Sequence, residues 1–349
     1  MTGDAERPRL TEDLPGCGGL FKAVPEDFEV EELPAYDPSG EGSHLYFWIE
    51  KRGRETPEIA RALAKAAGVD EREVGYAGLK DRQGITRQLF SVPAGSPSAP
   101  VDAWVAAAEA LEGVKVLWTR RHGNKLRTGH LRGNRFIVRL RGVSHPEHVA
   151  PKLERLERVG LPNYFGAQRF GRGDDNAALG RRLLKGERLE RAPSAFQRRL
   201  YLSAFQSLLF NRALSERVRE GTLDRALMGD VMEKTESGGL FVCAAPEVDA
   251  PRVTAWEISP AGPMFGPKMR AAEGEVAQRE ARLLEEAGVT LGDFRRGKGE
   301  TEGARRAYRV KPGELSWSSE EDVLTLRFTL PKGSYATVLL DELMEPVRR

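Results

Sequence analysis

The sequence predicts a two-domain protein of mixed α/β class, and three observations support this prediction. The chain has 349 residues, of which 40% are hydrophobic, and this is more than one hydrophobic core usually organises. Segments with the periodicity of strands alternate with segments that have the periodicity of helices, but without the regular rhythm of parallel βαβ units. A strand pattern at residues 323–330 follows the long middle segment, and we interpret it as a return of the chain to the first domain.

Strand and helix patterns follow one another through the first 159 residues. Phe28 and Val30 alternate with acidic residues, which is typical of a half-buried strand. A helix is predicted to begin where Thr56 offers a capping hydroxyl before Pro57, and to end at Gly68. Further strands are predicted at residues 43–50, 74–77, 88–92, 114–118 and 131–140, and helices around Trp104 and at residues 147–158.

A change of sequence character at residue 160 predicts a domain boundary. Two long amphipathic helix patterns follow, at residues 193–219 and 273–287, with a short strand candidate at residues 240–242 between them. After about Val310, the strand pattern at 323–330 is followed by an apolar-faced helix at residues 335–344. We therefore predict a discontinuous first domain, residues 1–159 and 311–349, and a mixed α/β insertion, residues 160–310.

A glycine-rich loop between two predicted strands holds the strongest candidate for a reacting group. Residues 75–88 read GYAGLKDRQGITRQ, and they place Asp81 between Lys80 and Arg82. Functional residues tend to lie on connections that are held at both ends. Because neighbouring cations favour the ionised form of a carboxylate, we expect Asp81 to be available as a nucleophile or a base.

A long stretch without acidic residues predicts a site for a polyanion. Residues 113–146 contain no aspartate or glutamate, although the whole chain contains 52 acidic residues. The basic residues of this stretch are Lys115, Arg120, Arg121, Lys125, Arg127, Arg132, Arg135, Arg139 and Arg141. The net charge of +2 would not indicate such a partner by itself, but clustered cations are typical of nucleic-acid binding. We therefore expect RNA contacts here, principally from Arg120, Arg121, Lys125 and Arg127.

Composition and spacing argue against several classes of protein. No run of about 18 apolar residues is present to span a bilayer, and residues 1–14 lack the apolar core of a signal peptide, so we expect a cytoplasmic protein without a membrane partner. Cys17 and Cys243 are too isolated for a disulfide framework or a thiolate metal site. His145 and His148 lack a convincing set of further ligands, and no dinucleotide or phosphate-loop motif occurs. We therefore expect no metal and no cofactor, and we expect a monomer.

Five motifs, in this order along the chain, resemble those of the TruD family of tRNA pseudouridine synthases. They are Lys22-x-x-Pro25-Glu26-Asp27-Phe28, Ala77-Gly78-x-Lys80-Asp81-Arg82 with Thr86 and Gln88, Gly133-Asn134-x-Phe136, residues 163–171 (NYFGAQRFG) and residues 330–337 (LPKGSYAT). The resemblance runs from Lys22 to Thr337 and so covers nearly the whole chain. It implies an RNP-like catalytic domain, built on a mixed and largely antiparallel sheet, together with an inserted α/β TRUD domain.

The resemblance implies a catalytic group and its neighbours. In the family the aspartate of the second motif is the essential catalytic residue, which is Asp81 here. The lysine, glutamate and phenylalanine of the first motif, here Lys22, Glu26 and Phe28, lie close to that aspartate and to the bound nucleotide. Lys22 would pair with Asp81 and keep it oriented and ionised, and Phe28 would offer a ring face to a base, a contact worth about 1–3 kcal/mol.

The remaining motifs imply further contacts with the substrate. By family analogy Asn134 contacts the substrate, Phe136 stacks on the target uracil, and Tyr335 touches the substrate with its ring. Arg169 and Arg172 lie beside aromatic residues and suit contact with RNA. Periodicity alone would place Phe136 in an ordinary core.

The family converts uridine at position 13 of certain tRNAs to pseudouridine, without a metal or an organic cofactor. In this reaction the N1–C1′ bond of the uridine breaks, the uracil ring turns, and C5 attaches to C1′ while the base is held out of its stack. The residues leave open whether Asp81 attacks the sugar, attacks the base, or removes the 2′ hydrogen to give a glycal.

Two other functions stay open on the residues alone. Asp81 with Glu26 would suit the nucleophile and acid of a hydrolase that cleaves a glycosidic bond, and such an enzyme would release free uracil. A non-catalytic RNA-binding module would use residues 113–146 and keep Asp81 as an ion-pair partner. That module would bind RNA without turnover.

Overall fold

The structure, a computed structural model, describes residues 7–94, 100–171, 175–297 and 301–344. The described chain divides into two compact units. The first, called the sheet unit here, comprises Cys17–Glu147 and Pro312–Gly333. The second, called the helical unit, comprises residues 7–16, His148–Lys311 and residues 334–344, with the gaps just given.

The strands are numbered in chain order. They are β1 (Gly18–Phe21), β2 (Phe28–Pro34), β3 (His44–Arg52), β4 (Gly75–Tyr76), β5 (Ile85–Pro93), β6 (Val114–His122), β7 (Leu131–Val143), β8 (Leu161–Pro162), β9 (Val231–Lys234), β10 (Leu240–Val242), β11 (Ile258–Met264), β12 (Ala304–Ala307), β13 (Arg309–Val310), β14 (Gly313–Glu320) and β15 (Val323–Pro331).

The α-helices follow the same convention. They are α1 (Thr56–Ala67), α2 (Val101–Glu109), α3 (Val149–Val159), α4 (Asp175–Leu184), α5 (Ala195–Arg219), α6 (Pro246–Thr254), α7 (Gly274–Glu286) and α8 (Ala336–Leu343). None of the helices within the described residues combines the length and the apolarity needed to span a bilayer.

The sheet unit is built on one mixed sheet. Nine strands of the described chain take part, in the order β14-β15-β7-β2-β5-β3-β6, with β1 paired to β7 and β4 paired to β5. β2 and β5 run parallel, whereas the other neighbours are antiparallel. The predicted mixed, largely antiparallel sheet is therefore confirmed.

The two faces of this sheet differ in chemistry, because successive side chains of a strand point to opposite faces. One face carries the hydrophobic core that packs against α1 and α2, including Phe47, Ile49 and Phe90. The strand registers place a second group of residues on this same face: Phe28, Glu32, Lys51, Thr86, Gln88, Asn134 and Phe136. The opposite face carries a second hydrophobic cluster, which includes Tyr46 and Leu89, and a group of charged residues: Glu29, Glu31, Glu50, Arg87, Arg135 and Arg139.

Helix α1 ends as predicted but begins differently. Gly68 terminates it with a left-handed backbone (φ +68°), which glycine adopts without steric cost. The residue before the helix is Glu55, whose backbone N–H donates to Glu58 Oε1. The prediction that Thr56 caps the helix was therefore wrong, and its hydroxyl has another role described below.

The helical unit contains a four-stranded sheet, in the order β10-β9-β11-β12, and the pair β8–β13, within the described residues. The 25-residue helix α5 begins after Ser194, whose hydroxyl accepts a hydrogen bond from Gln197 N–H, and Leu202, Phe205 and Leu209 of the helix are buried. The long helices predicted in this part of the sequence are present as α5 and α7.

The two units do not follow the predicted domain bounds. Residues 7–16, α3 and α8 belong to the helical unit, although the sequence grouped them with the first domain. The physical reason is a buried link: the fully buried Lys152 of α3 donates hydrogen bonds to the Thr11 hydroxyl and to the carbonyl oxygen of Glu342 in α8. The assignment of residues 1–159 and 311–349 to one catalytic domain stays a prediction.

Candidate active site

The loop that carries Asp81 is fastened to the buried face of the sheet and to α1. Gln88 of β5 donates a hydrogen bond from Nε2 to the Gly78 carbonyl at 3.0 Å. The Thr56 hydroxyl donates to Gln88 Oε1 at 2.8 Å and accepts from the Lys80 N–H at 3.1 Å. Because Thr56 and Gln88 are both buried, these bonds fix the main chain just before Asp81 without competition from water.

The side chain of Lys51 also binds the main chain of this loop. Its Nζ donates to the carbonyl oxygens of Arg54 and Asp81, each at 2.7 Å, and to that of Lys80 at 3.3 Å. The side chain is fully buried, and burial lowers the pKa of Lys51 to about 8, against the attraction of Asp81. The sequence reasoning missed this residue. A signal was present, because Lys51 continues the apolar alternation Leu45, Phe47 and Ile49 with a charged side chain.

The predicted ion pair between Lys22 and Asp81 is present. Lys22 Nζ lies 3.2 Å from Asp81 Oδ2, and the two side chains are 16% and 31% exposed. The ammonium group also lies 4.1 Å from the centre of the Phe28 ring, a distance suited to a cation–π contact. Lys22 adopts φ +60°, an uncommon conformation for a residue with a side chain, so the first motif is held in a particular backbone geometry next to Asp81.

The cations that flank Asp81 in sequence point elsewhere. Lys80 Nζ lies 3.1 Å from Glu32 Oε2 and donates to Asn134 Oδ1 at 2.5 Å. Arg82 donates from Nε to the Gly53 carbonyl at 3.2 Å. Burial raises the pKa of Glu32, and the ammonium of Lys80 opposes this shift. Because an ammonium only donates, Lys80 fixes the amide oxygen of Asn134 toward itself.

Phe28 and Phe136 belong to one aromatic cluster. Their ring centres are 6.1 Å apart, and the Phe136 ring stacks on Phe328 at 5.2 Å. The exposed fractions of Phe28 and Phe136 are 3% and 5%. In this structure both rings therefore pack as core residues, and stacking of Phe136 on uracil stays a prediction.

Glu26 has a basic partner. Its carboxylate lies 2.5 Å from Arg52 Nη2, and its main-chain carbonyl accepts a hydrogen bond from Arg139 at 2.5 Å. The residue is thus part of a charged network at the start of β2, and its predicted contact with a nucleotide stays a prediction.

Within the basic stretch 113–146, arginines of β7 pair with acidic residues in three dimensions. Arg135 pairs with Glu31 at 3.0 Å and with Glu314 at 3.1 Å, and Arg139 pairs with Glu29 at 2.9 Å. The partners come from β2 and β14, which lie far away in sequence. The absence of nearby acids in the sequence therefore overstated the positive charge of β7.

The four predicted RNA-binding residues of this stretch lie on β6 and on the loop after it. The exposed Arg120 lies over the Trp118 ring, with 5.4 Å between guanidinium carbon and ring centre. Arg121 donates to the Gly42 carbonyl at 3.1 Å, and Lys125 donates to the Arg72 carbonyl.

Lys125 and Arg127 line one cavity beside the loop that carries Asp81. The cavity has a volume of about 940 Å³ and is also lined by Arg72, Tyr76, Asp70 and Glu71, among others. The Gly129 N–H donates to the Ala77 carbonyl at 2.8 Å, so this wall of the cavity is joined to the chain that leads into Asp81. The cavity therefore brings three cations and two acidic residues to the side of β4 that precedes the Asp81 loop.

The fourth and fifth motifs meet within the helical unit. The ring of Tyr335 contacts that of Phe165 edge-on, with 6.2 Å between centres. The guanidinium carbons of Arg169 and Arg306 lie 5.6 Å and 4.1 Å from the same Phe165 ring. Arg306 was not predicted, and burial lowers its pKa to about 10. Arg172 lies outside the described residues.

Known proteins are similar to this chain over nearly its full length. A family model described as tRNA pseudouridine synthase D (TruD) matches residues 6–196 and 189–343. A tRNA pseudouridine synthase D of Anaeromyxobacter sp. (strain Fw109-5) is 51% identical over 344 residues, which cover 97% of this chain and 96% of the relative. One from Thermus thermophilus is 44% identical over 342 residues, which cover 97% of this chain and 92% of the relative.

A solved structure shares the fold. It is described as tRNA pseudouridine synthase D (TruD) from Methanosarcina mazei, and it matches with a TM-score of 0.73 at 22% identity, covering 97% of this chain and 95% of that chain. One assignment follows from the order of the five motifs along the chain, the mixed sheet, the family model and the similar relatives. The chain belongs to the TruD family of tRNA pseudouridine synthases.

Proposed function

We propose that Asp81 supplies the catalytic carboxylate with which this chain isomerises uridine to pseudouridine in tRNA, and that the target is position 13. The observation that carries the proposal is the setting of Asp81. Its main-chain carbonyl is held by the buried Lys51 at 2.7 Å, while its carboxylate is 31% exposed and paired with Lys22 at 3.2 Å. A carboxylate on a fixed main chain that is still accessible suits chemistry on a bound substrate.

The reaction is an isomerisation, and its bonds balance without a co-reactant. The N1–C1′ bond breaks, a bond forms between C5 and C1′, C5 gives up its proton, and N1 gains one. The Asp81 carboxylate suits attack on the sugar, attack on the base, or removal of the 2′ hydrogen, and all three routes stay open. In each route, Lys22 would hold the carboxylate oriented between turnovers.

Residues around the carboxylate supply candidate contacts for the nucleotide. Lys22 joins Asp81 to the Phe28 ring, and Lys80 joins the same loop to the Asn134 amide. Since Lys80 takes the amide oxygen of Asn134, the amide N–H₂ is the group left to donate to a carbonyl oxygen of uracil. The network formed by Lys22, Lys80, Phe28 and Asn134 thus offers a donor and an aromatic edge beside one carboxylate.

The tRNA backbone would be bound by cations outside this network. We propose Arg120, Arg121, Lys125 and Arg127 of the sheet unit as phosphate contacts, supported by the cavity that Lys125 and Arg127 line. In the helical unit we propose Arg169 for RNA and Tyr335 for the substrate, supported by their common contact with Phe165. A tRNA substrate also supports action in the cytoplasm, and we propose that the enzyme acts as a monomer.

The variant Asp81→Asn tests the catalytic role, because it keeps the shape of the side chain and removes its charge. We expect pseudouridine formation to fall by on the order of 10³-fold or more, while affinity for tRNA stays within about twofold. The loss should not come from unfolding, since a partly exposed ion pair is worth only about 0–1 kcal/mol. The measurement is chromatography of nucleosides from treated tRNA, in which pseudouridine separates from uridine at equal mass.

The matched control is Asp102→Asn, the same change at an exposed position in the first turn of α2. Retention of substantial activity in Asp81→Asn, with contaminating enzyme excluded, would show that another group is catalytic. The same chromatography distinguishes the hydrolase alternative, which would release free uracil.

A further inference from the structure

Lys51 stands out as a buried charge that meets only main-chain acceptors among its hydrogen bonds. It lies at the end of β3, where it pairs in register with Thr86 of β5 and Val114 of β6. Its side chain is fully buried, and burial of a charge is costly unless hydrogen bonds compensate for it. Packing alone would not stabilise a charged lysine side chain at such a buried position.

The number of donors matches the number of acceptors. A protonated lysine has three N–H donors and no acceptor. Lys51 directs them to the carbonyl oxygens of Arg54, Lys80 and Asp81. A neutral amine would have two donors and a lone pair facing three carbonyl oxygens, so one of these contacts would become unfavourable.

We propose that Lys51 is a positioning residue whose ammonium group holds the main chain at Lys80 and Asp81, so that the Asp81 carboxylate is aimed at the reacting atoms. The inference rests on the catalytic role proposed for Asp81. Lys51 itself does not touch the substrate in this proposal. It acts through its hydrogen bonds to the carbonyl oxygens of Lys80 and Asp81. Removal of a proton from the ammonium group loosens the loop.

The charged groups around Lys51 set the pH range in which this happens. The catalytic loop contributes Asp81, which raises the pKa of Lys51, and Lys80, which lowers it; Glu55 and Glu58 at the start of α1 raise it. Burial outweighs these attractions and leaves the pKa at about 8, below the ordinary value of 10.5. Activity should therefore decline as the pH rises through about 8.

Stability should change in the opposite direction over the same range. Between about pH 8 and pH 10.5 the unfolded chain still binds a proton on Lys51 that the folded chain has released. Because stability rises with pH wherever the unfolded state binds more protons, the contribution of Lys51 to stability increases there. A residue with a purely structural role would not couple rising stability to falling activity.

The test compares the parent enzyme with Lys51→Met, whose unbranched side chain is one atom shorter and lacks all three donors. We expect kcat to fall tenfold or more, with KM for tRNA within about twofold of the parent value. The decline of kcat above about pH 8 in the parent should be absent from the residual activity of the variant. The matched control is Lys65→Met, the same change at an exposed position of α1, which should resemble the parent in both respects.

A measurement on the parent alone covers the case in which Lys51→Met does not fold. The pair Lys80–Asp81 is the only Lys-Asp step in the sequence, and Asp-Arg steps occur at 81–82 and 224–225. Selective ¹³C-carbonyl and ¹⁵N labelling therefore reports the Lys80 and Asp81 carbonyls by NMR, with Asp224 as an internal reference. Both loop carbonyls should titrate with a midpoint near pH 8, together with the decline of kcat.

Two results would overturn the proposal. One is a folded Lys51→Met enzyme that keeps the parent kcat or the parent pH profile above pH 8. The other is a pair of loop carbonyls that do not respond to pH in this range. The NMR measurement does not depend on catalysis. An active Asp81→Asn enzyme would refute the proposed function, whereas the NMR titration tests the contact between Lys51 and the loop separately.

Discussion

At the scale of single residues, the Asp81 loop is held mainly by hydrogen bonds from buried side chains to its main chain. Gln88, Thr56 and Lys51 all bind backbone atoms of residues 78–81. Gly84 closes the loop at φ +152°, and a Cβ atom there would lie 2.5 Å from the Phe28 carbonyl oxygen. The loop thus lies directly on β2, and its side chains are left for ion pairs and for the substrate.

The variant Phe136→Leu tests whether the Phe136 ring has a role beyond packing. The ring is 5% exposed, and leucine keeps much of its volume, so the cost in the free energy of unfolding should be about 1 kcal/mol. Activity should fall more than this cost explains, because a stacking face for uracil is lost. The measurements are chemical unfolding and kcat on tRNA.

The control for this change is Phe328→Leu, which alters the ring stacked on Phe136 at 5.2 Å. It should cost similar stability and retain more of the activity. Equal specific activity in parent and Phe136→Leu would identify Phe136 as a core residue only.

Single residues also show what the sequence could and could not predict. The pairing of Lys22 with Asp81 followed from the family motifs, and it is present at 3.2 Å. The contacts of Lys80 and Thr56 did not follow, because both depend on residues that only the sheet brings close, Asn134 and Gln88. Local sequence favoured Thr56 as a helix cap and Lys80 as a cation beside Asp81. In the tertiary structure the Thr56 hydroxyl binds Gln88, and the Lys80 ammonium binds Asn134.

At the scale of elements, periodicity predicted the strongly patterned segments and failed for weaker ones. Helix α1 ends where Gly68 requires it, and β15 extends one residue beyond its prediction, to Pro331. Helix α6 was not predicted, since it contains Pro251, a residue that usually breaks helices. Burial of Asp249 and Val253 accompanies its formation, which is a tertiary effect that local propensity does not contain.

The prediction on RNA binding concerns residues of β6 and of the loop that follows it. Replacing Arg120, Arg121 and Lys125 together with glutamine should weaken tRNA binding and flatten its salt dependence, because each lost phosphate contact removes up to about one counterion from the slope. Binding isotherms at several salt concentrations measure both quantities.

The control for this experiment removes the exposed cations Arg61 and Lys65 from α1 of the same unit. Equal salt slopes for the parent and the triple variant would contradict a phosphate-binding role for these residues. A loss of affinity at an unchanged slope would contradict that role as well, and would be attributed to a folding defect.

At the scale of the whole molecule, the helical unit gathers segments from three distant parts of the chain. Glu342 accepts hydrogen bonds from the N–H groups of Leu10 and Thr11, both at 2.9 Å, and burial raises its pKa. Lys152 donates to the Glu342 carbonyl at 2.7 Å. Sequence periodicity could not predict this grouping, because it depends on the pairing of a buried lysine with acceptors more than a hundred residues away.

The variant Lys152→Met should destabilise the helical unit, since each buried acceptor left without a donor costs about 1–3 kcal/mol. Amide hydrogen exchange should increase in residues 7–16, α3 and α8, and much less in β2, β5 and β7. Mass spectrometry of peptides measures both regions in one experiment. Lys234→Met, at an exposed position of β9, is the control, and a uniform increase over the chain would contradict the division into two units.

The paired charges on the face of the sheet opposite α1 and α2 also shape the electric field that an approaching RNA meets. Glu29 and Glu31 lie opposite Arg87, Arg135 and Arg139, so each group forms a dipole whose field declines with distance faster than that of a single charge. Beyond about one Debye length, roughly 8–10 Å in ordinary buffers, this face is close to neutral. With the phosphate contacts proposed above, long-range attraction of a polyanion would originate from cations such as Arg120 and Arg127, and the acidic residues of β2 would cancel the competing field of β7.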